Sequence, residues 1–395
     1  MEFDASTRIG VIGAGTMGSG IAQLAAMNDH TVYLVDINNK VLKQSKSNIE
    51  NILKRMESKG KIRKGDTRVI LDRIVFEPNL ENMNECQFIM EAIAEKINLK
   101  RDLIYNLEKI IDKQTVIASN TSSLSIAAIA SASKRPEQIL GAHFFNPAPI
   151  MPLVEVIPGV MTDDDIVSAV RKLIDGWGKT TVLAKDTPGF IVNRVARPFY
   201  GEAIRMLEEG LADAATIDWA VKEIGGFRMG PFELMDFIGN DVNYTVTESI
   251  FAEFFYDPRF KPSFTQKRMV EAGLLGRKTG RGYYDYHENS ISAKTTSAPK
   301  TDKNLGSEIF DRILCMLINE AADAVFLNIA SKEDVDLAMT LGVSYPKGLL
   351  KWADEIRLDN VLNTLIGLQE EYGEDRYRPN PLLKRMARKG MRFYD

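Results

Sequence analysis

The feature that most constrains the fold of this chain is a glycine-rich turn near its beginning, between an apolar strand and a helix. Segment 8–12 predicts the strand, 13–20 the turn, 21–28 the helix and 31–36 a second apolar strand. This succession is typical of a βαβ unit, in which a helix connects two parallel strands. We therefore expect the chain to begin with a doubly wound α/β domain.

Three glycines in this turn follow the spacing Gly-X-Gly-X-X-Gly, which predicts a dinucleotide site. They allow a tight reversal of the backbone, so that N–H groups at the helix start can donate to a pyrophosphate. Asp36, at the end of the second strand, can accept hydrogen bonds from ribose hydroxyls and repels a 2′-phosphate, which favours NAD over NADP. Besides Asp36, the residues expected to contact NAD are Gly13, Gly15, Thr16, Met17 and Gly18.

Strands and helices continue to alternate as far as residue 157. Such alternation is typical of a mostly parallel sheet covered by helices on both faces. The predicted fold class is a Rossmann-like, doubly wound α/β domain followed by all-α domains. Further helices are expected at 40–59, 99–111 and 126–132, and further strands at 74–76, 88–92, 116–119, 139–145 and 154–157.

The strand pattern ends at Asp186, and the rest of the chain is predicted to be helical apart from one linker. Segment 289–304 is rich in polar and small residues without periodicity, which is typical of an exposed linker. We expect an NAD-binding domain at 1–186, a helical domain at 187–288, the linker, and a second helical domain at 305–395. The first helical domain is expected to contain helices at 190–209, 216–223 and 240–255.

The second helical segment repeats the first at a nearly constant offset, which predicts a duplicated domain. Matching positions are Asp218 and Asp336, Gly230 and Gly348, and Asp236 and Asp354. In the second copy Asp311 stands at the position of Asn193, and the segment 275–280 has no counterpart. We therefore expect the second copy to be structural, without an active site of its own.

The overall charge gives no reason to expect a nucleic acid or a membrane as a partner. The 50 basic and 54 acidic side chains leave a formal net charge of −4. No stretch reaches the ~20 apolar residues of a membrane span. The 2 cysteines and 3 histidines have no metal-ligand spacing, so we expect no metal. The first residues lack a signal-peptide pattern, and we expect a cytoplasmic protein.

His143 and Glu155 are the strongest candidates for acid–base catalysis. His143 lies at the end of a predicted strand, on the edge where doubly wound sheets bind ligands. Glu155 lies in the next apolar strand, where a carboxylate facing the core needs a partner. Pairing the two residues explains both. A histidine held by a carboxylate is also what proton transfer requires when NAD oxidises an alcohol.

Two further polar residues lie where they can contact a substrate. Ser122 follows the strand at 116–119 and can hydrogen-bond the reacting oxygen or the nicotinamide ribose, although a serine there can instead cap a helix. Asn193 stands at the start of the second domain, where helix capping or an interdomain hydrogen bond is the alternative role. The residues alone leave these alternatives open.

Five motifs identify a family. They are Gly-Ala-Gly-Thr-Met-Gly, Asn-Thr-Ser-Ser-Leu-Ser-Ile, His-Phe-Phe-Asn-Pro-Ala-Pro, Pro-Gly-Phe-Ile-Val-Asn-Arg and Gly-Arg-Lys-Thr-Gly-Arg-Gly-Tyr-Tyr. Over residues 8–286 the chain resembles the short-chain L-3-hydroxyacyl-CoA dehydrogenases, and is especially similar to bacterial and archaeal 3-hydroxybutyryl-CoA dehydrogenases. The resemblance implies reversible, NAD-dependent oxidation of an (S)-3-hydroxyacyl-CoA, with 3-hydroxybutyryl-CoA as the expected substrate. The alternatives are a dehydrogenase of a free hydroxy acid or sugar acid, and a nonenzymatic NADH-binding protein on the same scaffold.

The resemblance also assigns roles to individual residues. In that family the histidine of the His-Phe-Phe-Asn-Pro motif is the acid and base, and a later glutamate orients it, which implies these roles for His143 and Glu155. The family's substrate contacts fall on Ser122 and Asn193. Further cofactor contacts fall on Glu95, Lys100, Asn146 and Lys278, and the coenzyme A contacts on Arg55 and Lys59.

The duplicated helical domain is a departure from the family pattern. Members usually dimerise through one helical domain, whereas this chain has two copies, as in the dehydrogenase part of multifunctional fatty-acid oxidation proteins. The resemblance implies that the second copy can replace a partner subunit. We therefore expect a monomer or a homodimer that binds an acyl-CoA.

Overall fold

In the computed structural model, which describes residues 2–286 and 298–394, the chain forms two compact units. The first unit is Met1–Phe190 and the second is Ile191–Asp395. Residues 289–297 of the predicted linker lie outside the described residues. The predicted end of the linker at residue 304 is wrong, because a helix capped by the side chain of Asp302 already begins at Lys303.

One eight-stranded sheet forms the centre of the first unit. Its strands are β1 (Ile9–Ile12), β2 (Val32–Val35), β3 (Ile74–Glu77), β4 (Phe88–Glu91), β5 (Val116–Ser119), β6 (Ile139–Phe144), β7 (Leu153–Pro158) and β8 (Thr180–Leu183). They lie in the order β3-β2-β1-β4-β5-β6-β7-β8, and all neighbours are parallel except β6 and β7. The chain order reverses between β1 and β4, and ligands of such sheets bind at the carboxyl ends of the strands beside the reversal.

Helices of the first unit pack against this sheet. They are α1 (Thr16–Met27), α2 (Asn39–Ser58), α3 (Asp66–Asp72), α4 (Ile97–Leu107), α5 (Ile126–Ala130) and α6 (Asp164–Gly176). Strands β1, β4 and β5 are buried at every residue. This is the pattern of parallel strands that are covered on both faces, and it explains why their sequences are continuously apolar rather than alternating.

The predicted fold class is confirmed, while several predicted element bounds are wrong. The first helix begins at Thr16, inside the segment predicted as a turn, because the helix starts directly after the second glycine. The prediction missed α3, α6 and β8. Strand β8 gives a weaker apolar signal than the other strands because it begins with the polar pair Thr180 and Thr181.

The described part of the second unit is built from helices. They are α7 (Val192–Val195), α8 (Arg197–Glu208), α9 (Ala214–Trp219), α10 (Pro231–Ile238), α11 (Asn240–Glu253), α12 (Phe264–Glu271), α13 (Lys303–Phe326), α14 (Lys332–Gly342), α15 (Leu349–Ile356), α16 (Leu358–Tyr372) and α17 (Pro381–Arg388), with a π-helical turn at Ala220–Ile224. The prediction of one helix over 190–209 is wrong. Pro198 has no N–H to donate to the preceding turn, and the helix breaks at Ala196. None of the helices described is long and apolar enough to cross a membrane.

The two sequence repeats of this unit, here the first copy (191–286) and the second copy (298–394), use the same hydrogen bonds at matching positions. Asp218 accepts two backbone N–H groups at the start of α10, both at 2.9 Å. Asp336 accepts two at the start of α15, at 2.8 and 3.1 Å. Asp236 and Asp354 each accept two backbone N–H groups from near the end of their own copy. These four aspartates hold the two copies in the same local fold.

Buried ion pairs join the two copies reciprocally. Arg194 of the first copy donates to Glu320 at 2.6 Å and to Asp323 at 2.5 Å in the second. Arg312, which matches Arg194 in the repeat, donates to Glu202 of the first copy at 3.0 Å. Glu202 and Glu320 also occupy matching positions in the repeat. Each copy therefore contributes one arginine and one glutamate, at matching positions, to the contact between the copies. This reciprocity is the pattern of a two-fold symmetric interface.

Removing one partner of these buried ion pairs should lower the stability of the second unit. The Arg194 side chain is fully buried, and Arg194→Met leaves the carboxylates of Glu320 and Asp323 with less positive charge around them. We expect the free energy of unfolding of the second unit to fall by about 3 kcal/mol. Urea denaturation followed by tryptophan fluorescence measures this loss.

The control is Arg268→Met, which removes an exposed ion pair with Glu271. Exposed pairs contribute little, so this variant should lose about 0.5 kcal/mol or less. An Arg194→Met variant as stable as this control would show that the buried pairs do not hold the copies together.

Candidate active site

The glycine turn after β1 leaves room for another molecule to approach the backbone closely. A Cβ atom on Gly18 would lie 1.8 Å from the carbonyl oxygen of Gly13, so only glycine fits there. A Cβ on Gly15 would meet no protein atom within 4 Å, so the space in front of α1 is open. Thr16 and Met17 are the first residues of α1, whose N-terminal end attracts a negative charge. This turn fits a pyrophosphate.

Asp36 follows β2 and contacts the same turn. Its carboxylate accepts the N–H of Ala14 at 2.9 Å and the N–H of Asn38 at 2.9 Å. The next residue, Ile37, is 94 % exposed, which is unusual for so apolar a side chain. A carboxylate held here can accept hydrogen bonds from a ribose, and an exposed apolar side chain beside it offers a face to an adenine ring. These residues fit the adenosine end of NAD.

His143 and Glu155 form a buried hydrogen bond, with Nδ1 of the imidazole 2.6 Å from Oε2 of the carboxylate. Strand register produces it, because β6 and β7 are antiparallel and place the two residues directly opposite each other. Glu155 is fully buried. The ring centroids of Phe145 and Phe190 lie 4.5 and 6.0 Å from the centroid of the imidazole ring. When Nδ1 donates its proton to Glu155, Nε2 is the basic nitrogen.

The loop after β5 carries Ser122 and is held by Glu95. Oε1 of Glu95 accepts hydrogen bonds from the hydroxyl of Thr121, at 2.5 Å, and from the N–H of Ser122, at 2.9 Å. The hydroxyl of Ser122 lies 3.4 Å from the same oxygen. Helix α5 is capped by Ser125 instead. The alternative that Ser122 caps a helix is therefore wrong, because the helix starts later than that alternative requires.

A buried charge cluster lies at the carboxyl end of β4. Lys100, only 1 % exposed, places Nζ at 2.7 and 2.9 Å from the two oxygens of Glu91 and at 3.2 Å from Oε2 of Glu95. Burial raises the pKa of Glu95, but Lys100 and the hydrogen bonds from Thr121 and Ser122 outweigh it, so this pKa lies below its ordinary value. One ammonium group thus joins two carboxylates and, through Glu95, the loop of Ser122.

A large cavity, of about 980 Å³, opens beside the glycine turn. Its walls come from α1, α2 and the loop after β6, where Asn146 lies. Arg55, Lys59 and Lys61 all line it, and no acidic residue does so among the residues described. A cavity of this size suits a large ligand, and its basic wall suits phosphate groups.

Asn193 and Lys278 belong to the second unit. Asn193 lies within α7, whose N-cap is Ile191, so the alternative that Asn193 caps this helix is wrong. Its backbone carbonyl accepts the Nε–H of Arg197 at 2.8 Å. Nζ of Lys278 lies 2.5 and 2.6 Å from the two carboxylate oxygens of Asp241, in a partly exposed ion pair.

In the first unit, the predicted residues that follow strands lie at one edge of the sheet, whereas Arg55 and Lys59 lie at the end of α2. The residues after the strands lie together because β1, β2, β4, β5 and β6 are parallel and end on the same side. Sequence reasoning missed Glu91 and Ser119, whose hydroxyl donates to Glu91 at 2.5 Å. It also missed Lys61. A carboxylate at the end of an otherwise apolar strand is the signal by which Glu91 could have been found.

Comparison with protein families gives two matches that together cover most of the chain. The model described as 3-hydroxyacyl-CoA dehydrogenase, NAD binding domain, matches residues 8–187. The model described as 3-hydroxyacyl-CoA dehydrogenase, C-terminal domain, matches twice, at residues 189–286 and 309–392. The second of these matches falls on the second sequence repeat.

Individual relatives agree with the family models. The chain is 35 % identical to a 3-hydroxyadipyl-CoA dehydrogenase of Escherichia coli strain K12, over 96 % of this chain and 97 % of that protein. It is 41 % identical to a probable 3-hydroxybutyryl-CoA dehydrogenase of Deinococcus radiodurans, over 71 % of this chain and 100 % of that protein. A crystal structure of a 3-hydroxybutyryl-CoA dehydrogenase from Escherichia coli K12 matches with a TM-score of 0.92 and 34 % identity, covering 97 % of this chain and 98 % of that one.

Two glycine substitutions should separate binding from folding. Gly15→Ala adds a methyl group to open space that a pyrophosphate would fill, so we expect NADH to bind about tenfold more weakly. Folding should be unchanged, because that Cβ meets no protein atom within 4 Å. Calorimetric titration with NADH and thermal unfolding measure the two effects.

The matched variant is Gly18→Ala, whose Cβ would overlap the carbonyl oxygen of Gly13. It should lower the melting temperature as well as the affinity for NADH. If Gly15→Ala bound NADH as tightly as the natural protein, the turn would not be the pyrophosphate site.

Proposed function

Because the chain belongs to the 3-hydroxyacyl-CoA dehydrogenase family, an NAD-dependent group of oxidoreductases, we propose that it interconverts an (S)-3-hydroxyacyl-CoA and its 3-oxoacyl-CoA. The observation that carries this proposal is the buried 2.6 Å hydrogen bond between His143 and Glu155, at the same sheet edge as the glycine turn. The proposed substrate is (S)-3-hydroxybutyryl-CoA, which gives acetoacetyl-CoA. Two of the matches that align over nearly the whole chain carry names with different acyl groups, so 3-hydroxyadipyl-CoA is a second candidate.

His143 is the proposed acid and base. In the direction of oxidation, its Nε2 takes the proton of the C3 hydroxyl group. NAD, when bound, supplies the acceptor for the hydride that leaves C3. The Nδ1–H group donates to Glu155, which fixes the tautomer and stabilises the imidazolium that forms. In the direction of reduction, the imidazolium returns the proton to the C3 oxygen.

Ser122 and Asn193 are the proposed substrate contacts. The hydroxyl of Ser122 can donate to the reacting oxygen, and Glu95 fixes the loop that carries it through the N–H of Ser122. A donor that is already in place when charge develops on that oxygen stabilises the transition state without reorganising. For Asn193 the support is its match to the family motif.

The proposed NAD contacts divide by the part of the cofactor that they would hold. The turn at 13–18 would bind the pyrophosphate, and Asp36 the adenosine ribose, where its charge disfavours the 2′-phosphate of NADP. Contacts toward the nicotinamide end are proposed for Glu95, Lys100, Asn146 and Lys278. Supporting this, the buried ion pair between Lys100 and Glu91 fixes the first two of these side chains in place.

Arg55 and Lys59 are the proposed contacts to the phosphates of coenzyme A. Both line the cavity beside the glycine turn, whose volume of about 980 Å³ is ample for an extended nucleotide ligand. Lys61 lines the same wall and extends the basic surface. A thioester of coenzyme A uses these phosphate contacts, and a free hydroxy acid cannot, which favours the thioester.

We further propose that the chain acts as a monomer with one active site. The proposed division is an NAD-binding domain at 1–186, a helical domain at 187–288 and a degenerate second copy at 305–395. Reciprocal ion pairs between Arg194 and Glu320, and between Arg312 and Glu202, support the idea that the second copy takes the place of a partner subunit.

Substitution of the proposed acid–base pair should stop chemistry without stopping cofactor binding. His143→Ala should lower kcat with acetoacetyl-CoA about 10³-fold, because no other group would deliver the proton. NADH affinity should change less than about twofold, since His143 has no proposed contact with the adenosine end. Steady-state NADH oxidation and calorimetric titration measure the two quantities.

Two variants serve as controls. Glu155→Gln keeps a hydrogen-bond acceptor but loses the charge that stabilises the imidazolium, so a smaller loss, about 10 to 100-fold, is expected. His30→Gln changes a buried histidine that is hydrogen-bonded to the backbone carbonyl of Thr7 and to the indole N–H of Trp177. This variant should leave kcat nearly unchanged. Near-normal turnover by His143→Ala would refute the proposed mechanism.

The monomer proposal predicts the mass of one chain in solution. The surface on which the reciprocal ion pairs lie is already covered within the chain, so a second chain cannot use that surface to dimerise. Multi-angle light scattering at several concentrations measures the mass. A mass of two chains at every concentration would contradict the proposal.

A further inference from the structure

A small cavity inside the first copy is lined by three arginines, Arg197, Arg205 and Arg259. Its volume is about 20 Å³, which is room for one particle the size of a water molecule. Helices α8 and α11 and the segment that leads into α12 form its walls. No acidic residue of the described chain lines it. A cavity of this size and charge suits a single small anion.

Carboxylates of the chain neutralise only one of these arginines well. Arg259 forms ion pairs of 3.0 to 3.2 Å with three carboxylates, those of Asp257, Glu320 and Asp323. Burial lowers the pKa of Arg259, but these carboxylates outweigh the effect, so the pKa lies above its ordinary value. Arg259 therefore needs no further anion.

Arg197 and Arg205 lack such compensation. Arg197 is 8 % exposed, and its printed partners are neutral, namely the carbonyl of Asn193 at 2.8 Å and the hydroxyl of Thr247 at 3.3 Å. Nε of Arg205 lies 3.7 Å from a carboxylate oxygen of Glu202, which other arginines share. Burial lowers the pKa of both arginines. A buried guanidinium group with unused N–H donors is unfavourable unless an acceptor compensates it.

The second copy has other side chains at three positions of α8 that line the cavity. The matched pairs are Arg197 and Cys315, Gly201 and Asn319, and Arg205 and Asp323. Oδ1 of Asn319 accepts the backbone N–H of Asn380 at 2.7 Å, and Asp323 accepts an N–H of the Asn380 side chain at 2.5 Å. The second copy thus fills this place with acceptors of its own and has no cation at these three positions.

The matching backbone of the first copy lacks these acceptors. Ser263 matches Asn380, and each residue caps the helix that follows it. The backbone N–H of Ser263 has no hydrogen-bond acceptor within the described chain. Gly201 has no side chain to supply one, and a Cβ there would meet no protein atom within 4 Å. Nη2 of Arg205 donates to the carbonyl of Lys261 at 2.9 Å, so this guanidinium lies beside the same segment.

We propose that this cavity binds one chloride ion, held by N–H groups of Arg197, Arg205 and Ser263. A halide suits the cavity because it is monatomic and only slightly larger than a water molecule, whereas a phosphate or a carboxylic acid anion is too large. Its charge compensates the two arginines in the place where the second copy has Asn319. The ion joins α8 to the start of α12, so it stabilises the folded second unit. This site is independent of the proposed catalysis.

The experiment measures thermal unfolding of the full-length protein in sodium chloride and in sodium gluconate of the same ionic strength. Equal ionic strength gives equal screening of surface charges, and gluconate is too large for the cavity. An anion that binds only the folded state stabilises it, so we expect a melting temperature about 3 °C higher in chloride. Sodium bromide should act as sodium chloride does.

Variants separate binding in the cavity from a general effect of the salt. Gly201→Asn gives the first copy the side chain that the second copy has at Asn319, and its amide can accept the N–H of Ser263. The difference between the two salts should then fall below about 1 °C, as it should in Arg197→Met. The matched control is Gly367→Asn, because Gly367 also lies within a helix and its Cβ would likewise meet no protein atom within 4 Å. This control should keep the full difference.

Crystals grown in sodium bromide locate the ion directly, because bromide scatters X-rays anomalously near its absorption edge. We expect an anomalous peak in the cavity, in contact with the guanidinium group of Arg197. A water molecule without anomalous signal at this place would overturn the inference. So would equal melting temperatures of the natural protein in chloride and gluconate, or a Gly201→Asn variant that keeps the full difference.

Discussion

The hydrogen bond between His143 and Glu155 exists because two antiparallel strands place these residues opposite each other, with the carboxylate of Glu155 fully buried. A carboxylate in that position is tolerated only when a donor satisfies it, and Nδ1 of the imidazole is such a donor. The same contact decides which ring nitrogen is basic. One constraint, the pairing of a buried charge, therefore links the register of β6 and β7 to the acid–base chemistry that we propose.

The same constraint accounts for other parts of the molecule. In the first unit, Lys100 neutralises Glu91, and through Glu95 this pair holds the loop of Ser122. In the second unit, the arginines that match in the two copies reach across to carboxylates of the other copy.

The parts of the fold and site that depend on one or two short segments could be predicted from the sequence. The apolar strand before the glycines and Asp36 after the next strand sufficed for the dinucleotide fold. A carboxylate in an apolar strand sufficed to pair Glu155 with His143. By contrast, Glu91, Lys100 and Ser119 come from three separate elements, and only the strand order brings them together. The break between α7 and α8 was signalled by Pro198, although the helical pattern around it hid that signal.

We propose that this chain transfers a hydride between NAD and C3 of a 3-hydroxyacyl-CoA. The most direct test is a single turnover of acetoacetyl-CoA with NADH that carries two deuterium atoms at nicotinamide C4, followed by mass spectrometry of the product. Hydride transfer predicts 3-hydroxybutyryl-CoA with one deuterium, located at C3. A product without deuterium at C3, or no product at all, would contradict hydride transfer by this chain.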